Sequence, residues 1–184
     1  MVREYPGLLG TAIADAFGWP ETVIDWRSPI QGDDFAEYYD QTFLDHLGVD
    51  ELTMPLEEFW PKSGPRRDGL ARTTNGKLIL VEAKTHIDET VDFRSKASTD
   101  TLRWIEQRLD EAKAAFRASK DACWYASLYQ MANRLAHLYY LAGINKKDTY
   151  LVFIDFLRTH RMFLNQPLGK NGKELFVSPT NVSG

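Results

Sequence analysis

Leu78-Ile79-Leu80-Val81-Glu82-Ala83-Lys84 passes from an aliphatic run directly into two charges without leaving the pattern of a strand. Its start predicts a buried strand, and Thr73-Thr74-Asn75-Gly76 just upstream is a strong hairpin turn signal. Side chains alternate across a strand, so Glu82 and Lys84 fall on one face and Val81 and Ala83 on the other. Charge at the end of a buried strand is costly unless a partner or a ligand uses it. Both charged heads therefore converge on one spot beside the sheet, which makes this spot the first place to look for chemistry.

Working upstream, the hairpin brings Arg66-Arg67-Asp68-Gly69 back beside the same strand end. Asp68-Gly69 alone reads as a turn, and an acid-x-lysine tripeptide is weak evidence, since about one match is expected by chance in such a chain. The sequence carries its own control. Glu111-Ala112-Lys113 repeats the tripeptide inside a helical pattern, where residues two apart point to different sides and cannot share a ligand. The strand setting and the returning Asp68 distinguish the first copy.

Register decides whether the three residues can meet. A strict two-residue turn at Asn75-Gly76 pairs Asp68 with Ala83 and puts the aspartate on the wrong face. A three-residue loop with Gly76 left-handed pairs Asp68 with Glu82, and a bulge at Gly69 would have the same effect. One of these two distortions is expected.

An acid followed by an acid-x-lysine on adjacent antiparallel strands resembles the PD-(D/E)XK, or restriction-endonuclease-like, nuclease superfamily. The resemblance is carried by Asp68, Glu82 and Lys84, with Pro65 three residues ahead of the acid, so the literal Pro-Asp dipeptide is missing. The stretch from Phe59-Trp60-Pro61 to Lys84, with Tyr129-Gln130-Met131-Ala132-Asn133-Arg134-Leu135-Ala136-His137, is similar to an uncharacterised bacterial branch of that superfamily. The resemblance implies an α/β fold with a restriction-endonuclease-like mixed central β-sheet flanked by α-helices, in one domain over residues 1–184. It further implies metal-dependent phosphodiester hydrolysis of nucleic acid, DNA before RNA. Asp68, Glu82 and the Ala83 carbonyl would hold Mg2+ or Mn2+, hard ions that suit oxygen donors. Lys84 would orient or help deprotonate the attacking water. Gln130, on a helix after the strands, would lie near the site, Arg134 could hold a phosphate through its planar fork, and Glu37 would add an acid from an early helix.

The rest of the chain sets limits. Its 184 residues are enough for a core without disulfides, and a single cysteine, Cys123, excludes an internal disulfide and a cysteine-based zinc cluster. There is no basic-led apolar signal region and no membrane-length apolar run, so a cytoplasmic protein with no membrane partner is the default expectation. The net charge of −4 argues against a generic nucleic-acid coat, while leaving room for a local basic patch.

Leu8, Leu9, Ala12, Ile13, Ala16 and Phe17 predict a first helix ended by Gly18 and Pro20. A second is expected from an Asp33-Asp34 cap to Gly48, with Phe35, Tyr39, Phe43 and Leu47 on one face and Glu37 and Asp40 on the other. Pro55 to Pro65 reads as loop, with Glu57 and Glu58 competing with Glu37 and Asp40 for any early-acid role. Thr85 to Glu89 is irregular and a candidate substrate-facing loop. From Ser98 or Thr99, Leu102, Ile105, Leu109, Ala112 and Phe116 trace a core-facing helix. Trp124, Leu128, Met131, Leu135, Leu138 and Ala142 trace the next, up to Gly143. Strands are expected at Thr149 to Phe156, Met162 to Leu164 and Leu175 to Val177.

On the second long helix Gln130, Asn133, Arg134 and His137 form a ridge opposite the leucines, which reads either as a solvated face or as part of the site. His86 and His137 read as neutral hydrogen-bonding residues. Glu82 and Lys84 could also be a plain ion pair. Two other classes stay open: a catalytically inactive nuclease-like module that binds nucleic acid or a protein partner, which the acidic total favours, and an assembly protein or homo-oligomer built on Trp60, Trp104, Trp124, Tyr129, Tyr139 and Tyr140.

Overall fold

The computed structural model describes residues 4–19, 22–84, 98–119, 121–122, 124–125, 129–158 and 173–180, with backbone only at Lys84, 155–158 and 173–180. In chain order the elements are α1 (Pro6–Phe17), β1 (Ile24–Ser28), α2 (Asp40–Leu47), α3 (Leu56–Phe59), β2 (Gly69–Thr73), β3 (Leu78–Lys84), α4 (Thr99–Ala115), α5 (Tyr129–Leu138), β4 (Thr149–Arg158) and β5 (Lys173–Thr180). The strands form one mixed sheet in the order β1-β2-β3-β4-β5. The β1-β2, β2-β3 and β4-β5 pairs are antiparallel, and β3-β4, separated in sequence by α4 and α5, is parallel. A mixed sheet flanked by helices is thus present.

The hairpin between β2 and β3 settles the register. Gly69 pairs with Val81, Leu70 with Leu80 and Ala71 with Ile79, which continues to Asp68 opposite Glu82. The three loop residues Thr74, Asn75 and Gly76 produce it: the Thr73 N–H donates to Lys77 O at 2.9 Å, and Gly76 adopts φ 86. Of the two expected distortions the three-residue loop is the one used, and glycine supplies the positive φ without steric cost.

Burial follows strand parity. Leu70, Leu78, Leu80 and Leu151 join the larger core, under α2, α3, α4 and α5, while Ala71, Ile79, Val81, Val152 and Ile154 pack with Leu9 and Ile13 of α1 on the opposite face. Asp68 and Glu82 share the parity of the leucines, so they emerge on the α5 side. Trp60, Trp124 and Tyr140 are buried in that core, where such aromatics normally sit.

Several helices match their signals. Gly18 ends α1 in the left-handed conformation, its N–H donating to Asp15 O. Ser98 caps α4 by accepting the Thr101 N–H at 3.3 Å, and Ile105, Leu109 and Ala112 are buried as expected. Glu111 and Lys113 of the control tripeptide lie in α4, where Glu111 pairs with Arg108 and Lys113 donates to Ala122 O. The strand expected at Thr149 appears as β4, and the weak one at Leu175 lies within β5.

Other expectations are corrected. No helix runs from Asp33: a short 3-10 turn at Gln31–Asp33 leads into left-handed Asp34 and Phe35, and α2 begins only at Asp40. Asp33 accepts the Tyr38 hydroxyl instead of capping a helix. β1 and the short α3 were not anticipated. The expected long helix through Trp124 is shorter, and its ending is a π turn over Tyr139–Ile144. The strand expected at Met162 to Leu164, the loop from Thr85 to Glu89 with His86, and Cys123 and Leu128 lie outside the described residues.

Candidate functional site

Asp68 stands just before β2 and Glu82 near the end of β3, and the register places them side by side. The Asp68 carboxylate turns across the strand gap, its Oδ2 accepting the Ala83 backbone N–H at 2.7 Å. The N–H and C=O of one strand residue point to the same neighbouring strand, so the Ala83 carbonyl also faces the Asp68 side. This hydrogen bond is the geometric link among the three candidate oxygen donors.

Glu82 is 3% exposed. Arg134 of α5 meets it as a fork, Nε to Oε2 at 2.6 Å and Nη2 to Oε1 at 3.2 Å, and a buried carboxylate in a fixed bidentate pair is strongly oriented. The third guanidinium nitrogen, Nη1, donates to Asn133 Oδ1 at 2.8 Å. The ridge on α5 is therefore not a solvated face: Asn133 and His137 are buried, whereas Met131, expected in the apolar stripe, is 42% exposed. The helix is rotated so that its small and polar side meets the sheet. Satisfied partners make that burial tolerable, since His137 Nδ1 also lies 2.7 Å from Asn133 O.

A residue not singled out as a site candidate completes the cluster. Arg67 is 1% exposed; its Nη1 donates to Pro65 O at 3.1 Å, its guanidinium lies over the Phe43 ring, and its Nε and Nη2 have no hydrogen-bond partner among the described residues. Burial holds its pKa well below the ordinary arginine value, and Arg134 lowers it further, against the opposing pull of Glu82 and Asp68. The Arg66-Arg67 pair beside Asp68 was visible in the sequence, but only the fold shows which of the two is inside.

The electrostatics of Asp68 reflect this setting. Burial raises its pKa above the ordinary aspartate value, the Glu82 charge raises it next, and a smaller contribution comes from Glu37; the Ala83 N–H and Arg134 act the other way. Glu37 thus reaches the site electrostatically, but from an irregular segment before α2 rather than from a helix. Of its competitors, Asp40 is committed to the loop, accepting the Ser63 and Gly64 N–H groups at 2.8 and 2.7 Å, and Glu57 and Glu58 are exposed. Gln130 lies one helical turn before Arg134, half-buried. Lys84 is the last residue of β3, and its side chain lies outside the described residues.

Among the described residues no cluster of three His, Cys, Asp or Glu side chains is assembled. The donors at hand are two carboxylates and a carbonyl. Their oxygen chemistry fits a hard divalent ion that draws the rest of its shell from water. Arg134 competes for the Glu82 oxygens. Comparison with protein-family models, curated proteins and solved structures finds no match to this chain. Among the described residues no helix is long and apolar enough to cross a membrane.

His137 makes a pH prediction. Burial lowers its pKa well below the ordinary value of 6.5, Arg67 adds to this, and the Asn133 carbonyl opposes it. Below the ordinary value the unfolded chain takes a proton that the folded protein refuses, so stability falls with decreasing pH by up to ~1.4 kcal/mol per unit. Asp68 acts oppositely between its ordinary value and its raised one, where the folded state holds the extra proton. Urea unfolding between pH 7 and ~5.5 should show the His137 slope, and His137→Phe, suited to a pocket lined by Phe43, Phe59 and Trp60, should flatten it. An unchanged slope in the variant would assign the effect elsewhere.

Proposed function

We propose that this protein is a metal-dependent phosphodiester hydrolase acting on nucleic acid, DNA before RNA, as the restriction-endonuclease-like nucleases it resembles are. The observation that carries the reading is the Asp68–Ala83 hydrogen bond in a register that sets Asp68 beside Glu82, with Lys84 next on the same strand. A register slip of one residue would have separated the acids.

In this reading Asp68 and Glu82, with the Ala83 carbonyl, hold Mg2+ or Mn2+. The bound ion would polarise the phosphate and acidify a water. Lys84 orients that water and offsets charge on the phosphate, the role the resemblance assigns to it. Arg134 presents planar donors suited to a phosphate oxygen, Gln130 orients a water or a backbone oxygen, and Glu37 adds negative charge near the ion. Exposed Arg66, stacked on the Tyr39 ring at 4.6 Å, stands two residues from Asp68, where a nucleic-acid backbone could meet it.

A second reading has its own observation: Arg134 already neutralises Glu82, so the acid pair is compensated without metal, as expected of an inactive module that binds nucleic acid or a protein. The two are separated by incubating the protein with single-stranded DNA, duplex DNA and RNA in Mn2+ or Mg2+. The hydrolase reading expects cleavage that stops with chelator and is lost in Lys84→Ala. Absent cleavage together with absent metal uptake would leave the binding module.

A further inference from the structure

We propose that Arg134 is the occupant that a divalent ion must displace, so that metal binding and phosphate binding at this site are coupled through one side chain. The inference rests on the metal-site reading above and adds a role for Arg134 that the resemblance does not supply.

Both Glu82 oxygens are engaged by Arg134, at 2.6 and 3.2 Å. A hard ion needs at least one of them, and the longer Nη2 contact is the easier to give up. Repulsion works in the same direction, because a doubly charged ion and a guanidinium on one carboxylate oppose each other in a poorly solvated place. Two carboxylates, Asp68 and Glu82, already face two guanidiniums, Arg67 and Arg134, so an arriving ion overcharges the cluster unless a cation leaves or an anion enters.

Only one of the two arginines can yield. Arg67 is fully buried beneath Phe43 and tied to Pro65 O, whereas the Arg134 side chain retains 11% exposure on α5. The Nη1 contact to Asn133 lies within α5 itself, so Arg134 can release Glu82 without losing every partner. A substrate phosphate supplies the anion that receives it. Coupling of this kind is reciprocal: if phosphate draws Arg134 off Glu82, DNA tightens metal binding and metal tightens DNA binding by the same factor.

The test is Mn2+ binding, followed by the paramagnetic resonance of free Mn2+, in Lys84→Ala protein so that DNA is not consumed, with and without an added Arg134→Gln. Without DNA, the Arg134→Gln protein should bind Mn2+ about tenfold more tightly, and a short single-stranded DNA should tighten Mn2+ binding only where Arg134 is present. Equal Mn2+ affinities with and without Arg134 would overturn the proposal while leaving the metal site standing. If neither protein takes up Mn2+ at millimolar concentration, the hydrolase reading fails and this inference falls with it. Should circular dichroism show that Arg134→Gln does not fold, Arg134→Lys, which keeps the charge and loses the fork, should tighten Mn2+ in the same direction by a smaller factor. An unchanged affinity in that variant would count against the coupling.

Discussion

Replacing Asp68 by asparagine should abolish hydrolysis and at the same time raise the melting temperature. The two effects have one origin. Burial and the Glu82 charge disfavour the ionised carboxylate at position 68 in the folded protein, which is why its pKa stands above the ordinary value. A group whose ionised form is disfavoured by folding costs stability wherever it is ionised. Asparagine retains an oxygen to accept the Ala83 N–H and removes the charge, so the hairpin contact survives and the repulsion does not. The loss of a ligand and of its charge removes several kcal/mol of transition-state stabilisation, roughly a thousandfold in rate. Cleavage that persists in Asp68→Asn would show that the position holds no metal. A lower melting temperature would show that the carboxylate contributes to the fold instead of costing it.

That trade-off could be read only in part from the sequence. The hairpin signal, the alternation of Leu78 to Lys84 and the need for a distorted turn were legible because turn chemistry and strand parity are local. β1 was missed although Ile24 and Trp26 alternate with Asp25 and Arg27, because the run is brief and flanked by Pro20 and Pro29. The early helix failed for a different reason. Asp33 spends its side chain on Tyr38, and Asp34 and Phe35 take left-handed backbone, so helical spacing from Phe35 to Phe43 was coincidental. The burial of Arg67 and the rotation of α5 depend on which charges meet across the sheet. No window of sequence contains that information, because Glu82 and Arg134 are 52 residues apart.

Glu82→Gln should be the most destabilising single change at the site. It leaves Arg134, 11% exposed, and the fully buried Arg67 facing one another with only Asp68 to answer them. Breaking a buried ion pair by removing one partner costs about 3–5 kcal/mol, because the stranded charge keeps its desolvation penalty. For a chain of this size that corresponds to a fall in melting temperature of roughly 10 °C. The pair itself is a weaker source of net stability than this number suggests. Glu82→Leu combined with Arg134→Met, which replaces both partners by apolar groups of comparable volume, should therefore recover most of the loss. Recovery should be incomplete, since Arg67 would still lack a partner for its Nε and Nη2 among the described residues. Urea unfolding of the two single variants and the double variant closes the cycle. A loss below about 1 kcal/mol for Glu82→Gln would mean that the pair behaves as one in open water and that the charges are not held in a desolvated cluster.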